Sequence, residues 1–286
     1  MIIKNTTIQN RTKQNRLNSQ HIIPSHCTSN VVVNDFLKSV LKYKTSKESV
    51  IYSIGCELVK GNNNPYLKRF LSEYTLPILV FDNIPHDEFD LLGSIYQYLN
   101  SKGENLQRGS FYTNSKIAQD FVMDLDFSNN QVILDPWCGS GSFLFNSNAS
   151  SKFNYFIKFP NGKYPNIFCD DFFNWYSKNR HLSFDYLIGN PPYGATLDLT
   201  NINSFRIVSG ESFSYFIETG YTLLKNSGIL RYLLPESILN VKRHHDIRKF
   251  MLNDANLTKI KKYSTKFAGV MSDLYMLELT NDANEN

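Results

Sequence analysis

The chain has 286 residues, 42% of them apolar, with a formal net charge of +4. That length suits one large α/β domain plus a smaller element, or two modest domains, and the mild positive excess is compatible with nucleic acid as a partner without demanding it. Four cysteines, Cys27, Cys56, Cys138 and Cys169, form no C-x-x-C pair, which argues against a zinc site and a disulfide scaffold and for a reducing, cytoplasmic setting.

No apolar run approaches the roughly 18 residues that span a bilayer. The opening Met1-Ile2-Ile3-Lys4 leads into polar residues, not into a signal-peptide core. Residues 1–30 hold no Asp or Glu and carry Lys4, Arg11, Lys13 and Arg16. They read as a basic arm lying along phosphates, or as a loosely attached tail. Residues 31–105 read as a mostly helical region. Phe36, Leu37, Val40 and Leu41 approach helical spacing, and Leu91, Leu92, Ile95, Tyr96 and Leu99 share one face more clearly. Between them, Val50-Ile51-Tyr52-Ser53-Ile54 and Pro77-Ile78-Leu79-Val80-Phe81 are short strands or buried helical segments.

Residues 106–286 alternate strand-like and helix-like segments and are read as a catalytic domain. Strand candidates are Val132-Ile133-Leu134, Tyr155-Phe156-Ile157, Asn166-Ile167-Phe168, 184–188, 229–234, 257–263 and 274–279. Helices are expected over 212–224 and, as one piece, over 235–252, with a turn at Asn226-Ser227-Gly228 between the first helix and its strand. Such alternation implies an α/β fold, doubly wound around a mostly parallel sheet with helices on both faces. His244 and His245 fall beside Lys242 and Arg243 on a polar helix face, as a solvated surface or a phosphate contact.

Two turns carry chemistry. The first follows Val132-Ile133-Leu134 and reads Asp135-Pro136-Trp137-Cys138-Gly139-Ser140-Gly141-Ser142-Phe143-Leu144. Glycines there let backbone approach a ligand closely, and Asp135 sits at the carboxyl end of a strand, where doubly wound sheets bind ligands. No Lys-Ser or Lys-Thr follows Gly141, so the turn is not a P-loop. The second is Asn190-Pro191-Pro192-Tyr193. Two prolines fix φ and remove two donors. The rigid turn projects the Asn190 amide, leaves the Pro191 carbonyl free to accept, and presents the Tyr193 ring. Two acceptors aimed at an exocyclic amino group favour a more tetrahedral nitrogen, whose lone pair can then attack a methyl donor in line.

The string D-P-x-C-G-S-G-x-F-L resembles motif I of S-adenosylmethionine-dependent methyltransferases, especially the N6-adenine DNA methyltransferases. The resemblance spans roughly residues 91–279. It implies a seven-stranded, Rossmann-like methyltransferase sheet and S-adenosylmethionine as cofactor. Gly109-Ser110-Phe111-Tyr112-Thr113-Asn114 resembles motif X, so Tyr112 and Thr113 are candidate cofactor contacts, with Asn114 where the family has proline. The motif I turn adds Asp135, Pro136, Cys138, Gly139 and Gly141. Cys169-Asp170-Asp171-Phe172-Phe173 resembles motif III. Asp171 then faces the cofactor adenine amino group and Phe172 packs on its ring, with Asp170 as rival; alternatively the two acids cap a helix. Asn190, Pro191, Pro192 and Tyr193 are the catalytic candidates, Tyr193 and Phe267 stack the flipped base, and no metal site is implied.

Two departures stand out. No Asp or Glu lies between Asp135 and Asp170, where the family holds the cofactor ribose, and Lys158 lies there instead. The sequence also ends soon after the last expected strand, so target recognition would fall to residues 1–100 or to a separate specificity subunit. The implied activity is N6-adenine methylation of DNA, in a restriction–modification or phage system. RNA-base methylation, release-factor glutamine methylation and a non-catalytic subunit of the same fold are the alternatives.

Overall fold

A computed structural model describes residues 30–61, 65–73, 75–85, 91–100, 113, 115–127, 131–139, 141–146, 171–195, 197, 206–208, 211–264 and 273–282. Among the described residues four helices come first: α1 (Val31–Val40), α2 (Lys47–Leu58), α3 (Pro65–Ser72) and α4 (Leu91–Leu99). Asn30 caps α1 by accepting from the Val33 N–H, and Ser46 caps α2 by accepting from Ser49. Val50 to Ile54 therefore lie in a helix, where local capping outweighs their β-branched composition. The segment 77–81 takes no regular structure; Ser53 on α2 accepts from the Leu79 N–H at 2.9 Å and holds it. Val33, Leu37, Val40, Ile54 and Ile95 close the core shared by α1, α2 and α4.

The sheet-containing part follows as α5 (Ser115–Val122), β1 (Ile133–Leu134), α6 (Ser142–Asn146), α7 (Phe172–Asn179), β2 (Phe184–Gly189), α8 (Ser212–Thr222), β3 (Leu224–Pro235), α9 (Ser237–Asn240), a 3₁₀ turn at Lys242–His244, α10 (His245–Asn253), β4 (Asn256–Tyr263) and β5 (Leu274–Thr280). Among the described residues the sheet has five strands in the order β1-β2-β3-β5-β4. β1, β2 and β3 are parallel, while β5 runs antiparallel to both its neighbours, so the sheet is mixed. The expected strands at 155–157 and 166–168 lie outside the described residues.

Alternate side chains of each strand enter different layers. Leu187, Leu230, Tyr232 and Leu277 face α7, α8, α9 and α10. Ile188, Leu233 and Met276 face α5 and α6. Helices thus cover both faces, as the alternating pattern required.

Three expectations are corrected. The stretch 235–252 is not one helix: Val241 is extended (φ −80°, ψ 127°), and Arg248 donates to the Ile238 and Val241 carbonyls at 2.8 Å, satisfying groups that a break would strand. Asn226-Ser227-Gly228 does not precede its strand but lies inside β3 as an irregularity, with Ser227 at φ 58° donating to the Asn281 carbonyl at 2.6 Å. His244 is not on a polar face. It is 4% exposed, with its ring edge-on to Phe213 at 5.0 Å.

Away from the strand ends, Arg231 on β3 is 4% exposed on its side chain and joins β5 to the end of α5. It donates to Glu278 at 2.6 Å and to Asp124 at 2.5 and 3.0 Å. Those bonds pull the Asp124 carboxyl down to about 2. β4, an edge strand, carries Lys259 and Lys261 on the same face, paired with Asp124 and Asp120. Charged groups on an exposed edge oppose pairing with another chain.

Candidate active site

The two motif turns meet because their strands are neighbours. Leu134 at the end of β1 is in register with Leu187 on β2, so Asp135 and Asn190 leave the sheet side by side. Gly189 permits the approach: a Cβ there would lie 3.0 Å from Asp135 Oδ1 and 3.1 Å from Trp137 Cε3. Trp137 then fills the space between sheet and helices. Its ring lies 4.5 Å from Phe216 on α8, 5.2 Å from Tyr232 on β3 and 5.3 Å from Phe172 on α7.

The glycine turn is tight. The Gly141 N–H donates to the Cys138 carbonyl at 2.6 Å, and Gly139 and Gly141 take φ of +54° and +88°, a region costly for residues with a Cβ. Asp135 is 8% exposed. Its Oδ1 accepts from the Trp137 N–H at 3.2 Å, while its buried Oδ2 has no hydrogen-bond partner among the described residues. Burial pushes the carboxyl up to about 7, against the smaller downward pull of the Trp137 N–H. Burial, and then the neighbouring Asp135, push the Cys138 thiol up to about 11, which makes it a poor nucleophile.

The Asn190 to Tyr193 turn is braced on several sides. Asn190 Nδ2 donates to Thr113 Oγ1 at 3.2 Å. The Tyr193 hydroxyl contacts Asn190 Oδ1 and donates to the Leu233 carbonyl, at the end of β3, at 2.6 Å. The N-terminus of α8 supplies the remaining supports. Ser212 Oγ donates to the Pro192 carbonyl at 2.6 Å, and Glu211 Oε1 accepts from the Gly194 N–H at 2.8 Å. Glu211 stands at the N-cap of α8 but makes no side-chain cap there, so that carboxylate serves the turn. Among the described residues no hydrogen bond reaches the Pro191 carbonyl.

The structure therefore brings together Thr113, Asp135, Pro136, Cys138, Gly139, Gly141 and Asn190 to Tyr193 at adjacent strand ends. Asp171 caps α7, accepting from the Phe173 and Asn174 N–H groups at 2.9 and 3.1 Å. Phe172 is buried, with its ring nearly parallel to that of Trp175 at 6.3 Å. Tyr193 is half-buried against both layers of the core. Tyr112, Asn114, Lys158, Asp170 and Phe267 lie outside the described residues. Trp137, Leu233, Glu211 and Ser212 belong to the site without having stood out in the sequence. Trp137 sits inside the motif I string, so its position was available; the others act from distant segments with no local signature.

Strand order, coverage of both faces and paired turns at the strand ends define an α/β methyltransferase fold. The solved structures agree. A chain described as a class I S-adenosylmethionine-dependent methyltransferase from Listeria monocytogenes superposes with a TM-score of 0.55 at 16% identity, covering 89% of this chain and 87% of that one. A chain of the DrdV–DNA complex gives 0.54 at 14% identity, covering 97% of this chain and 39% of that one.

The family model described as Eco57I restriction-modification methylase matches residues 88–267, and the chain belongs to that family. S-adenosylmethionine is the family's cofactor. Among curated relatives, the type II methyltransferase M.HincII of Haemophilus influenzae is 24% identical over 199 residues, covering 64% of this chain and 39% of that protein. The modification methylase CviBIII of Paramecium bursaria Chlorella virus NC1A is 27% identical over 174 residues, covering 53% and 44%. The chain thus spans less than half the length of either. Among the described residues no helix is long and apolar enough to cross a membrane, and no cluster suits a metal ion.

Proposed function

We propose that this chain transfers a methyl group from S-adenosylmethionine to the N6 amino group of adenine in DNA, with the base flipped out of its stack. The observation that carries the reading is the state of the Asn190-Pro191-Pro192-Tyr193 turn. Ser212 claims the Pro192 carbonyl, while among the described residues no hydrogen bond reaches the carbonyl of Pro191, the residue next to Asn190 in the chain. The Pro191 carbonyl and Asn190 amide oxygens are the acceptors an exocyclic amino group needs. They polarise the nitrogen without removing a proton first, and the proton leaves after transfer. One preorganised acceptor of this kind is worth about 3 kcal/mol, or ~10²–10³ in rate.

The cofactor supplies an electrophilic sulfonium methyl. The glycine turn suits it: Asp135 Oδ2 is a buried acceptor with no donor among the described residues, and a cationic methionine end would supply one. Tyr112, Thr113, Pro136, Cys138, Gly139 and Gly141 would line the same end. Asp171, while capping α7, would face the adenine amino group, and Phe172 its ring. Tyr193 would offer its outer face to the flipped base opposite Phe267. The sheet would then be completed to seven strands by residues outside the described ones. A separate specificity subunit for target recognition, and a cytoplasmic restriction–modification setting, fit the same reading.

Incubation with labelled cofactor and, separately, DNA, RNA and release factor, followed by digestion, locates the methylated atom. Label on N6-methyladenine from DNA is expected. Label on N4 of cytosine, in RNA or on glutamine would replace the substrate named here.

A further inference from the structure

We propose that Thr113 is a positioning residue for Asn190: its hydroxyl holds the donor end of the amide and so keeps Oδ1, not Nδ2, presented to the substrate amino group. This rests on the reading of Asn190 and Pro191 as amino-group acceptors, and gives Thr113 a task beyond the cofactor contact that motif X implies. The two ends of a carboxamide have nearly the same shape and opposite hydrogen-bonding character. A half-turn about the last side-chain torsion would set N–H against the substrate's N–H, donor facing donor. Sterics does not prevent that turn; hydrogen bonding must select the orientation.

A threonine hydroxyl can donate as well as accept, and in the proposed arrangement its oxygen takes the acceptor role toward Nδ2. Asn190 Nδ2 donates to Thr113 Oγ1 at 3.2 Å, across 77 positions of sequence. At the other end, the Tyr193 hydroxyl has one proton and two acceptors within reach, Asn190 Oδ1 and the Leu233 carbonyl, the latter at 2.6 Å. The amide oxygen has two lone pairs, so Oδ1 can accept from the substrate amino group through one while the other meets the Tyr193 hydroxyl. The Thr113 bond need not break. Thr113 therefore holds the amide at its other end throughout.

Two measurements test this on the full chain. With asparagine selectively labelled with ¹⁵N, the Asn190 side-chain pair is the one lost in Asn190→Ala. Thr113→Val should shift that pair and speed its solvent exchange by about tenfold or more as the hydrogen bond is lost, while Thr113→Ser leaves it in place. Thr113→Ala serves as a second hydroxyl-free variant if the valine variant fails to fold. An unshifted pair in the hydroxyl-free variant, or equal shifts in the valine and serine variants, would overturn the proposal.

In methyl transfer to DNA at saturating S-adenosylmethionine, Thr113→Val should lower kcat by about 10- to 100-fold, over and above any rise in cofactor KM from the motif X contact, and Thr113→Ser should recover most of the rate. A raised cofactor KM with unchanged kcat would make Thr113 a cofactor contact alone and defeat the idea. If the wild type methylates no DNA, the functional reading falls, and the amide resonances still decide the role of Thr113.

Discussion

The two turns that meet at the strand ends differ in how far each is satisfied by its own protein. Around the Asn190 turn, Thr113, Leu233, Glu211 and Ser212 bond the side chains and backbone that hold its shape. Around the glycine turn, a carboxylate oxygen of Asp135 is buried with no donor among the described residues. The first turn is rigid before any ligand arrives, which suits groups that must aim at a reacting nitrogen. The second carries an electrostatic cost that a bound cation relieves. In the proposed reading, preorganisation sits at the chemistry and unmet polarity at the cofactor.

The largest effect expected from breaking this contrast is on rate. Asn190→Ala should reduce methyl transfer by ~10²–10³ while calorimetric affinity for S-adenosylmethionine stays within about twofold, because the loss is confined to the transition state. A variant that transfers methyl at the wild-type rate would remove the amide from the mechanism.

Next comes Asp135→Asn. The folded pKa of Asp135, about 7, lies above the ordinary carboxylate value. The folded state therefore holds that proton more tightly than the unfolded chain. Wild-type stability is full below pH ~4, falls as pH rises towards 7, and levels off above it. Neutral asparagine escapes this loss, so the ligand-free variant should be more stable than wild type at pH 8 by a few kcal/mol, each tenfold difference in proton affinity being worth about 1.4 kcal/mol. The two should converge near pH ~4, and cofactor binding by the variant should weaken. Thermal unfolding across pH checks the first point; parallel melting curves for both proteins at all pH values would contradict it.

Smaller again is Ser212→Ala, which removes one support from the Asn190 turn. A lost hydrogen bond to a part-buried carbonyl should cost about 1 kcal/mol of stability. With the other three braces in place, kcat should fall by only about two- to fivefold. A loss as large as that of Asn190→Ala would mean that the turn has no rigidity without α8.

Much of this contrast was legible in the sequence. Asp135, the glycines, Asn190 and both prolines are local signals, because each acts through backbone geometry set by its immediate neighbours. Alternation of apolar segments placed β2, β4 and β5 almost to the residue, whereas β3 begins five residues before its expected start because the 226–228 turn lies inside it. The supports were not legible. Leu233 contributes a backbone carbonyl, which leaves no trace in residue type, and Ser212 and Thr113 reach the turn from segments 20 and 77 positions away. His244 failed for a related reason: a run of basic neighbours suggested solvent, but the break at Val241 turns its ring into the core against Phe213.

The unmet carboxylate offers the most direct test. S-adenosylmethionine is titrated into the wild type and into Asp135→Asn by calorimetry at pH ~7, in buffers of different ionisation enthalpy. A cation placed against Asp135 lowers its pKa, so wild-type binding should release about half a proton more than the variant's, read from the slope of heat against buffer enthalpy. Equal slopes for the two proteins, or no binding by the wild type with or without DNA, would contradict the assignment of the glycine turn as the cofactor site.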